Sequence, residues 1–302
     1  MLYILQTALE LGFLYALVAM ALFLSYRVLD IADLTTDGCF VLGAAVSVTM
    51  AAAGHPFLAV PAALAAGACA GFVTAFLQTR LGVPPILAGI VTNTGLYTIN
   101  LMVMGWSANV SLLKTDTIFS LFKNTGIGGQ WCEAVLAGAV TVLAGILLVL
   151  FLGTRIGLSI RATGNNIHMV RSSSINPTVT ITVGLCISNA LTALSGAMVG
   201  QYQNTADING GTGIVVIGLA CLIIGETVLG RRTIVKGAIA AVVGSVIYRF
   251  IYAIVLYTKV VPVQGLKLIT AIVVGVAIAF PTIKSWFQFQ KRKYAAGRKG
   301  GN

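Results

Sequence analysis

The sequence predicts an all-α membrane protein, a polytopic helical bundle of about nine spans. Of its 302 residues, 58% are hydrophobic and only 9% are charged, whereas ordinary soluble domains carry about 25% charged residues. Apolar stretches recur along the whole chain, and each is long enough to cross a hydrocarbon core roughly 30 Å thick as a helix. A soluble fold is therefore excluded.

Gly, Pro and charged residues delimit the predicted spans. In chain order these are 2–25, 38–53, 57–79, 85–105, 131–152, 175–200, 213–229, 234–257 and 266–283. The second holds only about 16 apolar residues where a full crossing needs about 20, so its helix is expected to begin partway through the membrane. No linker divides residues 1–283, which are predicted to form one transmembrane domain, and residues 284–302 follow as a basic cytoplasmic tail.

Loop charges predict the orientation of the chain. With the N-terminus outside, about fourteen Lys and Arg residues fall on the cytoplasmic side and about four on the opposite side, as positively charged loops require. The C-terminus is then cytoplasmic. The net charge of +11 is explained by loops and a tail beside anionic lipid headgroups, so membrane lipid rather than nucleic acid is the expected partner.

A weak internal repeat is visible in two segments. ADLTTDGCFVLGAAVS begins at Ala32 and ADINGGTGIVVIGLAC begins at Ala206, and both open polar and then turn apolar. They start from opposite sides of the predicted membrane, as an inverted repeat requires. Transporters of many kinds bring Gly-interrupted half-helices together in this way near the bilayer midplane. The pattern indicates transport without naming the energy source.

Polar residues at membrane depth are candidates for a solute pathway. The half-helix that opens near residue 37 would offer backbone N–H groups and a positive dipole end to a polar or anionic solute. The alternative is a solvated loop with Asp37 capping its own helix. Amides and a phenol in VTNTGLYTIN either line a pathway or bond between helices. The candidates are Asp33, Thr35, Thr36, Asp37, Asn93, Tyr97 and Asn209.

No catalytic, metal or nucleotide site is predicted. His55 and His168 are the only histidines and are expected on opposite sides of the membrane, and the five cysteines are scattered. GETVLGRRT lacks the Lys-Ser/Thr pair of a phosphate-binding loop. We therefore expect no enzyme activity and no cofactor in this chain. Glu10 and Arg249 lie in the outer thirds of their predicted spans, where a mutual ion pair would lower their energetic cost.

The segment TRIGLSIRATGNNIHMVRSSSIN resembles the cytoplasmic loop of ABC importer permeases of the branched-chain amino acid and ribose type. That family has a T-x-hydrophobic-G-x-x-hydrophobic-R-A-x-G-x-N pattern, matched here by Thr154, Gly157, Arg161, Ala162, Gly164 and Asn166. The segments IADLTTDGCFVLGA, ILAGIVTNTGLYTINLMVMG and GTGIVVIGLACLIIGE look like the subgroup that serves amino acids such as tryptophan or tyrosine. The chain lacks the Pro and Gly that often follow the pattern, so its helix is expected to be set differently.

This resemblance implies a permease subunit of the bacterial cytoplasmic (inner) membrane that imports a small polar solute, an amino acid above all. Its implied partners are cytoplasmic ATPase subunits that hold ATP and Mg²⁺, an extracytoplasmic solute-binding lipoprotein, and a second permease copy or paralogue. Residues 153–174 would form the coupling loop, with a short helix over 161–174 capped by Asn165 or Asn166. The coupling residues are Arg161, Gly164, Asn165, Asn166, His168 and Arg171.

Two apolar residues of that coupling helix are expected to face its partner, and two rival functions share the same sequence features. Ile167 and Val170 would give the helix a small apolar edge for a groove on the partner. An ion-coupled secondary transporter also uses inverted repeats and polar midplane residues. An ABC importer for a sugar or nucleoside would share the same family pattern.

Overall fold

The computed structural model describes residues 2–112, 115–124, 131–230 and 233–258, together with residues 271–272, 274–276 and 279. The elements in these ranges are α1 (Leu2–Leu22), a π-helical segment (Phe23–Val28), α2 (Thr36–Ala52), α3 (Pro56–Thr79), α4 (Pro85–Val103), β1 (Asn109–Ser111), α5 (Ile118–Asn124), α6 (Cys132–Gly153), α7 (Arg155–Asn165), α8 (Ile167–Ser172), α9 (Pro177–Gln203), β2 (Thr205–Asp207), α10 (Ile214–Leu229) and α11 (Ile234–Thr258).

The architecture is that of a polytopic helical membrane protein. Within the described ranges, six helices are long and apolar enough to span a membrane, and α2 and α10 are shorter apolar helices. These eight coincide with the first eight predicted spans. The ninth predicted span, 266–283, falls largely outside the described residues, as does the tail 284–302, so the number of nine stays a prediction.

Proline and glycine set the helix boundaries as their backbone preferences require. Pro56, Pro85 and Pro177 occupy the first position of α3, α4 and α9, where the missing N–H removes no helical hydrogen bond. The left-handed conformations of Gly105 and Gly230 follow the ends of α4 and α10, and glycine adopts them at little energetic cost.

α1 and α9 form the centre of the bundle. Every residue from 14 to 25, in α1 and the π-helical segment that continues it, is buried, and so is every residue from 191 to 201 in α9. A helix that is buried on all sides lies inside a membrane bundle. Two serines of α9 bond to α1 carbonyls: Ser188 Oγ donates to Ala21 O at 2.8 Å and Ser195 Oγ donates to Leu14 O at 2.7 Å. Such bonds satisfy hydroxyls at membrane depth.

The short helix α2 begins level with the middle of α9. Its first turn is held by Asn189, whose Nδ2 donates to Asp33 Oδ2 at 2.7 Å and whose carbonyl oxygen accepts from Cys39 Sγ at 3.2 Å. Asn189 lies 12 residues after the start of the 27-residue α9, about 18 Å along the helix axis. The predicted partial crossing of the second span is consistent with this placement.

Small structural elements cover one end of the bundle, on the predicted outer side. β1 and β2 pair antiparallel, with Asn109 opposite Asp207. α5 packs on α9, because Ile118 N donates to Gln201 Oε1 at 2.9 Å and the Phe119 ring meets the Tyr202 ring edge-on. These contacts fix the loop that leads from β2 into α10.

Candidate functional site

The two polar segments of the weak repeat meet at Asp37. Its Oδ2 accepts from Gly213 N at 3.1 Å and its Oδ1 accepts from Val215 N at 2.9 Å. The carboxylate of α2 therefore caps the N-terminus of α10, where a negative charge is favourable. The alternative that Asp37 caps its own helix is wrong, because no side-chain bond caps α2. Gly211 permits the approach, since a Cβ there would collide with the Asp37 carbonyl oxygen.

A cavity of about 390 Å³ lies beside this junction. Its walls come from the first turns of α2, from one face of α4 and from the loop before α10. The lining residues are Asp37, Gly38, Val41, Asn93, Thr94, Tyr97, Asn100, Ile208, Asn209, Gly211 and Thr212. Four predicted pathway residues are thus brought together, namely Asp37, Asn93, Tyr97 and Asn209.

The cavity offers several acceptors and an aromatic ring. Asn100 Nδ2 donates to the Gly38 carbonyl oxygen at 3.1 Å, which ties α4 to α2. Its Oδ1 is buried and lacks a hydrogen-bond partner in the described part of the chain. Tyr97 is 51% exposed although it lies within a span. A buried amide oxygen without a partner costs about 1–3 kcal/mol, which a donor from a bound solute would offset.

Asp33, Thr35 and Thr36 are placed behind the cavity rather than in its wall. Asp33 Oδ1 accepts from Thr35 N at 2.9 Å, and Thr36 Oγ1 donates to the Asp33 carbonyl oxygen at 3.1 Å. The hydroxyls of Thr35 and Thr74 lie 2.8 Å apart. All three residues are almost fully buried. They hold the start of α2 against α3 and α9, and their part in translocation stays a prediction.

Two lining glycines lie in the polar segments where the pathway was predicted, residues 33–38 and 207–213, although neither was named as a candidate. Gly38 and Gly211 allow the segments of the cavity wall to pack closely, because a Cβ at Gly38 would collide with Asn93 Oδ1 and one at Gly211 with the Asp37 carbonyl oxygen. The available signal was glycine inside the two polar segments. Ile208 lies in the second of these segments, whereas Val41 was missed, because apolar residues occur throughout this chain.

The segment predicted to couple to a partner forms two helices instead of one over 161–174. Thr154 caps α7 by accepting from Gly157 N at 3.2 Å. Asn166 caps α8 by accepting from His168 N at 3.0 Å and Met169 N at 3.1 Å. The predicted capping role of Asn166 is confirmed, and Asn165 is the last residue of α7. The extended backbone of Asn166 divides the two helices.

α7 and α8 present a mixed polar and apolar surface. Among the predicted coupling residues, the exposed ones are Arg161, Asn165, Asn166, His168 and Arg171. Val170 is fully buried, so the expectation that it forms an apolar edge for a partner is wrong, while Met169 is 54% exposed. Val170 closes the core beneath α8, and Met169 supplies the exposed apolar contact in its place.

The sixth coupling residue, Gly164, lies against the end of the π-helical segment that continues α1. A Cβ at Gly164 would collide with the Val28 carbonyl oxygen and contact Leu29. Thr163 and Thr180 place their hydroxyls 2.8 Å apart, which joins α7 to α9. Nearby, Arg27 Nε lies 3.0 Å from Glu226 Oε1, an ion pair between the π-helical segment and α10. A displacement of α7 would thus act on residues that lead directly to α2 and α10.

The ion pair suggested between Glu10 and Arg249 is not formed. Glu10 Oε2 accepts from the Tyr202 hydroxyl at 2.7 Å and its Oε1 accepts from Gln6 Nε2 at 2.9 Å. The Arg249 guanidinium instead stacks over the Tyr15 ring, 3.6 Å from its centroid. Sequence position alone could not show that the two side chains leave their helices on different faces.

Comparisons with known proteins agree with this architecture. The family described as branched-chain amino acid transport system / permease component matches residues 4–280. A tyrosine transport system permease protein of Clostridioides difficile (strain R20291) is 35% identical over 260 residues, 86% of this chain and 85% of the relative. A fructose import permease protein of Bifidobacterium longum (strain NCC 2705) is 25% identical over 259 residues, 84% of this chain and 71% of the relative.

An uncharacterized protein of Rickettsia prowazekii (strain Madrid E) is 32% identical over 280 residues, 91% of this chain and 97% of the relative. No solved structure matches the chain. The family match covers most of the chain, including both half-helices, the cavity and the α7–α8 segment. The chain therefore belongs to the family of branched-chain amino acid transport system permease components, the membrane subunits of ABC-type transporters.

Proposed function

We propose that this chain imports an amino acid as the membrane subunit of an ABC importer, and that the cavity beside Asp37 takes up the solute. The observation that carries the proposal is the meeting of two half-helix N-termini at a polar cavity inside an apolar bundle. We infer that α2 and α10 are the related halves of an inverted repeat, joined near the bilayer midplane.

The lining suits the groups of an amino acid. The Asp37 carboxylate and the unpartnered Asn100 Oδ1 can accept hydrogen bonds from an ammonium group. The start of α2 offers a positive dipole end to a carboxylate. The exposed Tyr97 ring can stack on an aromatic side chain. The similarity to a tyrosine transport permease supports an aromatic amino acid as the solute.

A sugar is the second candidate. The cavity has amide, hydroxyl and carboxylate groups but no Lys or Arg among its lining residues, so a solute carboxylate would find no cationic side chain there. The similarity to a fructose import permease supports this alternative. A neutral polyol can bond to Asn93, Asn100 and Asn209 without needing a cation.

In the proposed assembly, two permease chains bear two cytoplasmic ATPase subunits, which bind ATP and Mg²⁺. The exposed surface of α7 and α8 docks in a cleft of the ATPase, and an extracytoplasmic binding protein delivers the solute to the opposite face. The location is the bacterial inner membrane. The segment is suited to this role because it is exposed on one side and packed against the end of the first helix on the other.

The test is uptake by the purified assembly in proteoliposomes. We expect ATP-dependent uptake of tyrosine or a related amino acid that needs the binding protein, and no uptake driven by an ion gradient alone. Asn93→Ala should reduce uptake about tenfold by removing one proposed hydrogen bond to the solute. Thr98→Ala is the matched control, since Thr98 is exposed on α4 but does not line the cavity.

Uptake of fructose or a nucleoside with no amino acid transport would replace the proposed solute. Uptake by the chain alone, coupled to an ion gradient, would contradict the importer proposal.

A further inference from the structure

A second cavity, of about 400 Å³, lies between the predicted outer ends of α1 and α11. It is separate from the solute cavity, with which it shares no lining residue. Most of its wall is aliphatic or aromatic, and one cation stands among these residues. The lining residues are Tyr3, Ile4, Thr7, Ala8, Leu11, Arg249, Tyr252, Ala253, Leu256 and Tyr257.

Arg249 lines this cavity, and no Asp or Glu among the described residues forms an ion pair with it. Its guanidinium carbon lies 3.6 Å from the centroid of the Tyr15 ring and 5.8 Å from that of Tyr252. Its Nε is buried and has no hydrogen-bond partner in the described part of the chain. Neither ion pair found among the described residues includes Arg249. Ring stacking compensates the desolvation of a guanidinium group only partly.

None of the Asp and Glu side chains of the chain forms an ion pair with Arg249. It has eight Asp and Glu side chains, and all eight lie in the described ranges: Glu10, Asp30, Asp33, Asp37, Asp116, Glu133, Asp207 and Glu226. Two of them form the ion pairs with Arg27 and Lys123, and Glu10 is bonded to Gln6 and Tyr202. An unpaired cation inside a transmembrane segment is costly, so the missing charge is expected from a bound molecule.

We propose that this cavity binds an anionic phospholipid, with the phosphate paired to Arg249 and an acyl chain along the aliphatic wall. Tyr3 is 78% exposed and Tyr257 is 53% exposed, and both contribute aromatic surface to this cavity. A small soluble anion would satisfy Arg249 but would leave the apolar wall formed by Ile4, Leu11 and Leu256 uncovered.

The experiment measures lipid binding to the purified full-length chain in neutral detergent. Phosphatidylglycerol, phosphatidylcholine or inorganic phosphate is added, bound lipid is counted by native mass spectrometry, and the midpoint of thermal unfolding is recorded. We expect phosphatidylglycerol to bind and to raise the midpoint. Arg249→Gln should weaken that binding about tenfold or more, as loss of a charge-assisted contact does, and Arg249→Lys should retain part of it.

Two further variants keep the test decisive if Arg249→Gln fails to fold. Ala253→Leu fills the cavity while leaving Arg249 in place, and should also reduce phosphatidylglycerol binding. Arg80→Gln removes an exposed cation from the end of α3 and should leave the binding and the thermal shift unchanged. A shift produced equally by inorganic phosphate would overturn the lipid assignment in favour of a soluble anion. Lipid binding that is insensitive to both Arg249→Gln and Ala253→Leu would overturn the site.

Discussion

At the residue scale, Asp37 is the side chain on which both half-helices depend. It belongs to the first turn of α2, yet its carboxylate accepts two backbone N–H groups at the start of α10. Charge and acceptor capacity are both needed, because a helix N-terminus combines unpaired donors with a positive dipole end. One carboxylate thus joins segments that are separated by more than 170 positions in the sequence.

We predict that Asp37→Asn lowers the free energy of unfolding by about 1–2 kcal/mol, because the amide is neutral and offers only one acceptor oxygen. Thermal unfolding of the purified protein in detergent measures the change. Asp207→Asn is the control, since Asp207 Oδ1 accepts a single bond from Asn209 N in an exposed turn. Equal effects of the two substitutions would refute the special role of Asp37.

Three glycines test whether transport needs close packing at the cavity wall or merely the presence of glycine. A Cβ at Gly211 would collide with the backbone carbonyl of Asp37, one at Gly38 with the side chain of Asn93, and one at Gly95 would meet nothing within 4 Å. Backbone yields less readily than a rotatable side chain. We therefore expect Gly211→Ala to abolish uptake and Gly38→Ala to reduce it, with a thermal midpoint lowered in the same order.

Gly95→Ala should leave uptake intact, because the added Cβ would meet no other atom. Alanine also has a higher helix propensity than glycine on the exposed face of α4. Transport assays of the three variants at equal expression give the ranking. A loss of uptake with Gly95→Ala as large as with Gly211→Ala would mean that alanine is harmful wherever it replaces glycine in this bundle.

At the scale of elements, α8 depends on a cap that is local and separable from the bundle. Asn166 satisfies the N–H groups of His168 and Met169, and α8 has only six residues, too few to form a stable helix unaided. A proline at Met169 would remove only one of these two capped N–H groups, whereas a change at Asn166 removes the acceptor of both. The cap itself is the sharper target.

Asn166→Ala is predicted to unfold α8 at a cost of about 1 kcal/mol and to lower uptake per ATP hydrolysed, while membrane insertion is unchanged. Both rates are measured in the same proteoliposomes. Asn176→Ala is the matched control, because Asn176 caps the long span α9 through Thr178 N, and α9 is also held by its packing. A normal ratio of uptake to hydrolysis in Asn166→Ala would exclude α8 from coupling.

The sequence could predict the elements that depend on local signals, but not the contacts between residues far apart in the chain. Long apolar runs located the spans, and a capping asparagine located α8, because both signals are local. The division of residues 155–172 into two helices at the extended backbone of Asn166 was missed, as was the burial of Val170 against the bundle. The Asp37 junction and the Arg27–Glu226 pair join positions that are far apart in the chain, and composition carries no record of such pairing.

At the scale of the whole molecule, the structure divides the polar segments between two ends of the bundle. β1 and β2 pair with each other at the end where α5 lies. α7, α8 and the Arg27–Glu226 pair lie at the other end, beside the end of the first helix. The helices α1 and α9 run the full distance between these ends, whereas α2 and α10 each start inside.

This division makes the predicted orientation testable with two cysteines. Ala108 and Ser172 are exposed at opposite ends of the bundle, and the excess of Lys and Arg beside Ser172 predicts that its end faces the cytoplasm. Both substitutions are made in a background with Cys69→Ala and Cys186→Ala, because Cys69 is exposed and Cys186 is half-buried, whereas Cys39, Cys132 and Cys221 are buried. A membrane-impermeant maleimide should label Ala108→Cys in intact cells and Ser172→Cys only after permeabilisation. The reverse pattern would place α7 and α8 outside, out of reach of any cytoplasmic ATPase, and would remove the physical basis for coupling through them.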